Sequence, residues 1–355
     1  MEKVRVRESN LELYRIIVML LIVAHHYVVN SGLLAAGGPI ASDILSGKSL
    51  FLLLFGAWGK TGINCFVLIT GYFMCKSEIT VKKFLKLLLE VMFYRIVINI
   101  VFWLTSYNEL TLKGVLSVII PIRNIGTGFT AAYIMFFLFI PFFNILVRNM
   151  TEKQHIYLLC LCSFLYIFLG TFPLFSVTMN YVSWFSVLYF ISSYIRLYPK
   201  KIFEKTKVWG FATLLFVLIA SLSVIIGAYI ADKTGKLIWY YFVQDSNTLL
   251  AVLIGLSSFL LFKNLKIKNS KLINTVSATC FGVLLIHANG DVMRKWLWQD
   301  VLNNVGMFSS SFIILHAVLS VIGVFIICSS IDLFRIRFIE KPFFCWYDKH
   351  FNQLR

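Results

Sequence analysis

The sequence predicts an all-α, polytopic membrane protein with about ten transmembrane helices and both termini on the cytoplasmic side. Three observations carry that expectation. Of the 355 residues, 59% are hydrophobic and only 14% charged, against roughly 45–50% and about 25% in a soluble domain. Apolar runs recur at lengths near the ~20 residues a helix needs to cross hydrocarbon. Lys and Arg then collect in every second connection between those runs. The residues are 16% aromatic, with 34 Phe, more apolar matter than a water-soluble fold can cover. The strict alternation of a membrane β-barrel is missing from the runs.

Ten spans are expected, at 13–29, 50–74, 84–105, 130–147, 156–174, 181–198, 208–231, 247–262, 273–289 and 309–331. The first carries Arg15 and two His, with no small-residue cleavage site after it, so it reads as a span and not a signal peptide. Ser9-Asn10-Leu11-Glu12 fits a capping box that opens it. The stretch 112–122 is too short to cross and should lie along the interface or re-enter. With a cytoplasmic N-terminus, 23 of the 33 Lys and Arg fall in inner segments and seven in outer ones; Arg15, Lys60 and Arg95 lie within spans. One missed span would scramble the alternation after it. The chain is expected to be a single domain, 1–355. Residues 332–355, basic and aromatic, should form an interfacial tail that Pro342 ends or kinks.

The formal charge of +17 fits cytoplasmic loops better than nucleic acid, because no basic cluster adjoins a soluble recognition module. Seven Cys without a CxxC give no support to a metal site. Membrane lipids are expected neighbours, and a homo-oligomer is left open.

Ionisable residues within spans are expensive and are functional candidates by default. Arg15 and His26 are 11 positions apart, three turns plus roughly 20°, so they share a face about 16 Å apart along the axis. His25 points roughly 80° away from Arg15. An elongated ligand could touch both Arg15 and His26. Acyl-coenzyme A has that shape, with an anionic nucleotide, a thin arm and a thioester. A guanidinium grips phosphate, and a neutral imidazole can take the proton of an attacking hydroxyl. Plainer roles stand beside these: Arg15 snorkelling to headgroups, or His26 bonding a neighbouring helix. Lys60 and Asn64 are candidate acceptor contacts, flanked by Gly59 and Gly62, which allow close helix approach or a break lining a cavity. Glu90 and Arg95 do not share a face well and should pair with other helices. His287, a third candidate acceptor contact, falls at a depth comparable to His26, and two imidazoles meeting there would mark a site. Lys82, Lys83 and Lys86 form a basic strip suited to nucleotide phosphate or lipid headgroups.

These residues resemble acyltransferase family 3, membrane O-acyltransferases that modify bacterial cell-surface glycans. The likeness rests on Arg15-x10-His26, on Gly62 to Phe73, on Tyr133 to Pro141, on Trp184-Phe to Tyr194-Ile-Arg196, on Phe281 to His287 and on Ile339-Glu-Lys-Pro-Phe343. It covers nearly the whole chain in order. It implies a cytoplasmic acetyl-CoA donor, no metal, and an acceptor hydroxyl on an exopolysaccharide, capsule or other envelope glycan or a lipid-linked sugar. It implies a bacterial plasma-membrane location, His26 as base and Arg15 as a donor-binding residue. Where many members carry Arg-x-x-Arg, this chain has Lys83-x-x-Lys86, which lacks the bidentate fork. The rival expectation is a transporter exporting a small metabolite or glycan precursor, since buried Arg, Lys and His would serve that too.

Overall fold

The computed structural model describes residues 8–351 apart from Thr127, Pro173, Ser176 and Thr178. Lys3, Arg5, Arg7 and Arg355 of the charge pattern lie outside the described residues. Ten helices follow the expected spans: α1 Ser9–Val29, α2 Gly47–Met74, α3 Val81–Leu104, α4 Phe129–Asn149, α5 Glu152–Thr171, α6 Tyr181–Leu197, α7 Thr206–Thr234, α8 Leu249–Asn264, α9 Lys271–His287 and α10 Ile313–Phe351. Among the described residues there is no strand.

Seven of the ten are long and apolar enough to cross a bilayer by themselves. α9 joins them if its continuation, Asp291–Met307, bent by 94°, counts as one span with it. The two that fall short are α6, with 17 residues, and α8, with 16. At 1.5 Å per residue each spans about 25 Å, less than the ~30 Å of hydrocarbon. Both are among the helices most enclosed by others, and each buries two adjacent serines, Ser192-Ser193 and Ser257-Ser258. A helix that meets other helices on most sides can be short and partly polar where a lipid-facing one cannot. α7 shows the contrast. Its Leu214, Leu218, Leu222 and Ile226 are exposed at helical spacing, while Ala220, Val224, Gly227, Ala228 and Ala231 are buried.

Polar clasps show that all ten alternate in direction. Asn10 at the start of α1 donates to the Phe262 and Lys263 carbonyls ending α8, and Asn264 donates to the Phe203 carbonyl before α7. Ser9 donates to Asn274 at the start of α9. Asn144, late in α4, donates to the Met74 and Ser77 carbonyls at the end of α2, and Arg196, late in α6, to the Tyr72 hydroxyl. Lys200 pairs with Glu152 at the start of α5, and Lys82 at the start of α3 with Asp348 at the end of α10. Odd helices therefore begin, and even helices end, at one basic end. Several clasps satisfy last-turn carbonyls that have no partner within their own helix.

Two local expectations need correction. The capping box at Ser9–Glu12 does not form. Glu8 is the N-cap without a side-chain bond, Ser9 serves the start of α9, and the Glu12 carboxylate turns to Arg15 and Ser277. Pro342 does not end the last helix, because it falls in the first turn after a π-helical stretch, Ile336–Glu340, and the helix runs on to Phe351. The stretch 112–122 contains one short helix, Leu112–Ile119.

Candidate functional site

α1 and α2 meet along three glycines. A Cβ on Gly56 would lie 2.8 Å from the Cβ of Val28, one on Gly59 would overlap the His25 ring, and one on Gly62 would lie 2.7 Å from Ile22. The i, i+3, i+6 spacing on α2 thus matches the same spacing on α1. α2 also breaks at Ala57-Trp58, just inside this seam. The sequence offered either close approach or a break at these glycines, and the structure has both. His25 spends Nδ1 on the Gly56 carbonyl at 2.5 Å, which ties it to the seam.

His26, like His25, borders a cavity of about 820 Å³ whose walls include Ile22, Lys60, Ile63, Phe129, Tyr181 and Leu284. The cavity reaches the end opposite the basic one, where Asn30, Asn99, Asn289 and Arg294 border it. The short helix Leu112–Ile119 contributes Ser117 and Val118, whose carbonyls accept from Arg95. Arg95 therefore holds this wall in place.

The imidazole of His26 is oriented by a second one. Nδ1 of His26 lies 2.9 Å from Nε2 of His287, and Nδ1 of His287 lies 2.6 Å from the Val283 carbonyl. A carbonyl only accepts, so in a neutral His287 Nδ1 carries the proton and Nε2 is bare. Nε2 can then only accept, so His26 donates from Nδ1. In a neutral His26 that leaves Nε2 its lone pair, and it has no hydrogen-bond partner among the described residues. His287 is wholly buried, does not line the cavity, and packs edge-on to Trp298 at 6.3 Å between centroids. The sequence expects His287 at the depth of His26, and the structure joins the two; His287 stands behind His26 and away from the cavity lining.

The remaining candidates divide. Lys60 lines the cavity and donates to the Tyr181 hydroxyl at 2.9 Å. Asn64 does not reach it. Its amide donates to the Ser246 and Ala251 carbonyls, and its oxygen accepts from Trp184 Nε1 at 2.9 Å. Fully buried and satisfied, Asn64 clamps α2 to α6 and α8. Lys83 bonds Ser77 and the Glu78 carbonyl beside its own helix start, and Lys86 pairs with Glu340 at 2.6 Å. Both remain exposed at the basic end.

Arg15 is also toward the basic end, partly buried and paired with Glu12 at 3.2 Å. It is not among the residues lining the His26 cavity. Between them lie Tyr133 and Phe281, whose rings meet at 5.6 Å between centroids. Each sits about a turn closer to the basic end than Phe129 and Leu284 of the cavity wall. Thr70 bonds the Tyr133 hydroxyl at 3.1 Å. Arg15 and His26 share a helix face as expected, and the two rings stand at a level between them.

Sequence reasoning missed one ionic cluster. Arg335 on α10 binds Glu90 at 3.0 Å, Asp332 at 2.7 Å and Glu340 at 2.8 Å, and Tyr94 donates to Asp332 at 2.6 Å. Asp332 presses on Gly282, where a Cβ would overlap its carboxylate. The cluster thereby braces the helix that carries His287. The available signal was Asp332 and Arg335 at i, i+3 on one helical face, in a segment assigned to the tail; Glu340 meets Arg335 across the π-helical stretch. Among the described residues, no group of three or more His, Cys, Asp or Glu is placed to hold a metal.

A family model described as an acyltransferase domain, that of acyltransferase family 3, matches residues 8–332. The chain belongs to this family. It is a multi-pass membrane acyltransferase, and the exporter expectation gives way to that membership. Comparison with curated proteins gave no match, and neither did comparison with solved structures.

Proposed function

We propose that this acyltransferase moves an acetyl group from cytoplasmic acetyl-CoA to a sugar hydroxyl of an envelope glycan or its lipid-linked precursor, in a bacterial plasma membrane. The observation that supports the reading best is the Val283–His287–His26 relay at the wall of a cavity, which leaves Nε2 of His26 without a partner among the described residues. The charge rule assigns the basic end to the cytoplasm. The cavity then opens outward, toward an acceptor at the cell surface, and Arg15, Lys83 and Lys86 stand where a cytoplasmic nucleotide would arrive.

In this scheme Nε2 of His26 takes the acceptor hydroxyl proton as the oxygen attacks the thioester carbon. The tetrahedral adduct collapses, the carbon–sulfur bond breaks, and the departing thiolate of coenzyme A receives the proton back from His26. His287 accepts from Nδ1 throughout and favours the imidazolium when it forms. Purified protein given labelled acetyl-CoA and a glycan acceptor tests this. His26→Ala should lose about 10²–10⁴ in rate; an unchanged rate would remove His26 from the mechanism.

A further inference from the structure

The charged lining of the His26 cavity is unbalanced. It comprises Lys60, Arg95 and Arg294 against a single carboxylate, Asp291. Asp291 pairs with Arg294 at 2.9 Å, but its side chain is 97% exposed, so water screens most of its charge. Lys60 and Arg95 have no carboxylate within ion-pairing distance among the described residues; their bonds go to a tyrosine hydroxyl and two carbonyls. Two buried donors on the cavity residues, Nε of Arg294 and Nδ2 of Asn30, have no partner among the described residues. Lys60 and Arg95, within the spans and without a carboxylate of the protein's own in reach, and the unspent donors nearer the mouth are costly unless a ligand brings an anion.

We propose that the acceptor is an anionic glycan, whose phosphate or carboxylate is held by Lys60 and Arg294 while a nearby hydroxyl faces Nε2 of His26. This rests on the acyltransferase reading of the same cavity. Arg294, with its free Nε–H, supplies directed donors and Lys60 a point charge. The same field draws an anionic sugar toward the cavity mouth. Arg95, committed to its wall, adds potential without a contact.

The test uses the full chain in neutral detergent and has a binding arm and a turnover arm. In the first, inorganic phosphate and glucuronate, at constant ionic strength, should each raise the melting temperature over chloride. Lys60→Gln and Arg294→Gln should each weaken that apparent affinity by about fivefold or more. Saturating coenzyme A should leave the effect in place. If coenzyme A abolishes it, the cations serve the donor and the proposal is overturned. In the second arm, labelled acetyl-CoA is offered with methyl glucoside, its phosphate ester and methyl glucuronide. One or both charged acceptors should exceed the neutral one in kcat/KM by about tenfold, and which of them does so identifies the anion. Equal use of all three, or preference for the neutral sugar, refutes the proposal. If no acceptor is acetylated, the proposed reaction fails, and the binding arm alone decides whether the cavity is an anion site.

Discussion

Replacing His287 by Phe keeps a ring of similar size in its buried slot but removes the bare nitrogen that accepts from His26. The cost follows from the geometry. The lost bond, 2.9 Å in the resting protein, is charge-assisted once His26 holds the substrate proton. Bonds of that kind contribute about 1.5–3 kcal/mol, or roughly 10- to 150-fold in rate. His287 does not border the cavity, so the loss should fall on kcat, with little change in acceptor KM. The assay is acetyl transfer from labelled acetyl-CoA at saturating donor, comparing wild type, His287→Phe, His26→Ala and the double variant. If the imidazoles act as one unit, the double variant is no slower than His26→Ala alone. A double variant slower by the product of the two losses would refute the relay. An effect confined to acceptor KM would restore His287 as a binding residue.

Other outcomes follow from the packing. Arg335→Met leaves Glu90, Asp332 and Glu340 facing one another with only Lys86 for compensation, and should cost about 3–5 kcal/mol, read as a large drop in melting temperature in detergent. Gly59→Ala puts a methyl into the His25 ring and should destabilise by about 1–3 kcal/mol; a variant as stable as wild type would mean that the α1–α2 seam is looser than the structure has it. Asn64→Ala strips partners from two carbonyls and an indole N–H; it should lower stability by about 2–3 kcal/mol while leaving the ranking of acceptors as in wild type. Arg15→Lys should raise the KM for acetyl-CoA more than that for the acceptor, and an effect on the acceptor alone would contradict the placement of Arg15.

The helices were legible because a lipid-facing segment must be apolar along the length that crosses, as α7 and the first two thirds of α10 are. α6 and α8 were legible for another reason: the Lys and Arg bracketing them keep the alternation, although their serines and brevity weaken the apolar signal. His26 and Arg15 could be placed on one face because both lie on a single unbroken helix, where angle and rise are known. Whether space joins them could not be read, since that depends on Tyr133 and Phe281 from two other helices. Asn64 looked like a site residue because a deep amide is costly, and nothing in its own helix reveals that Ser246, Ala251 and Trp184 satisfy it. The Arg335 cluster was hidden for the same reason, its four partners coming from residues 90 to 340 of the chain.

The aromatic layer between Arg15 and the cavity bears on how such an enzyme could live in an energised membrane. A bore wide enough for a thioester would pass protons and sodium as well, and each charge would fall through about 2.3 kcal/mol per 100 mV. The rings of Tyr133 and Phe281, tilted at 40° to each other, stand where a slim, extended arm would have to pass, and bulky side chains there would limit such a leak. Ion leakage under an imposed potential should therefore stay low in the intact protein and rise when both rings are cut back to alanine.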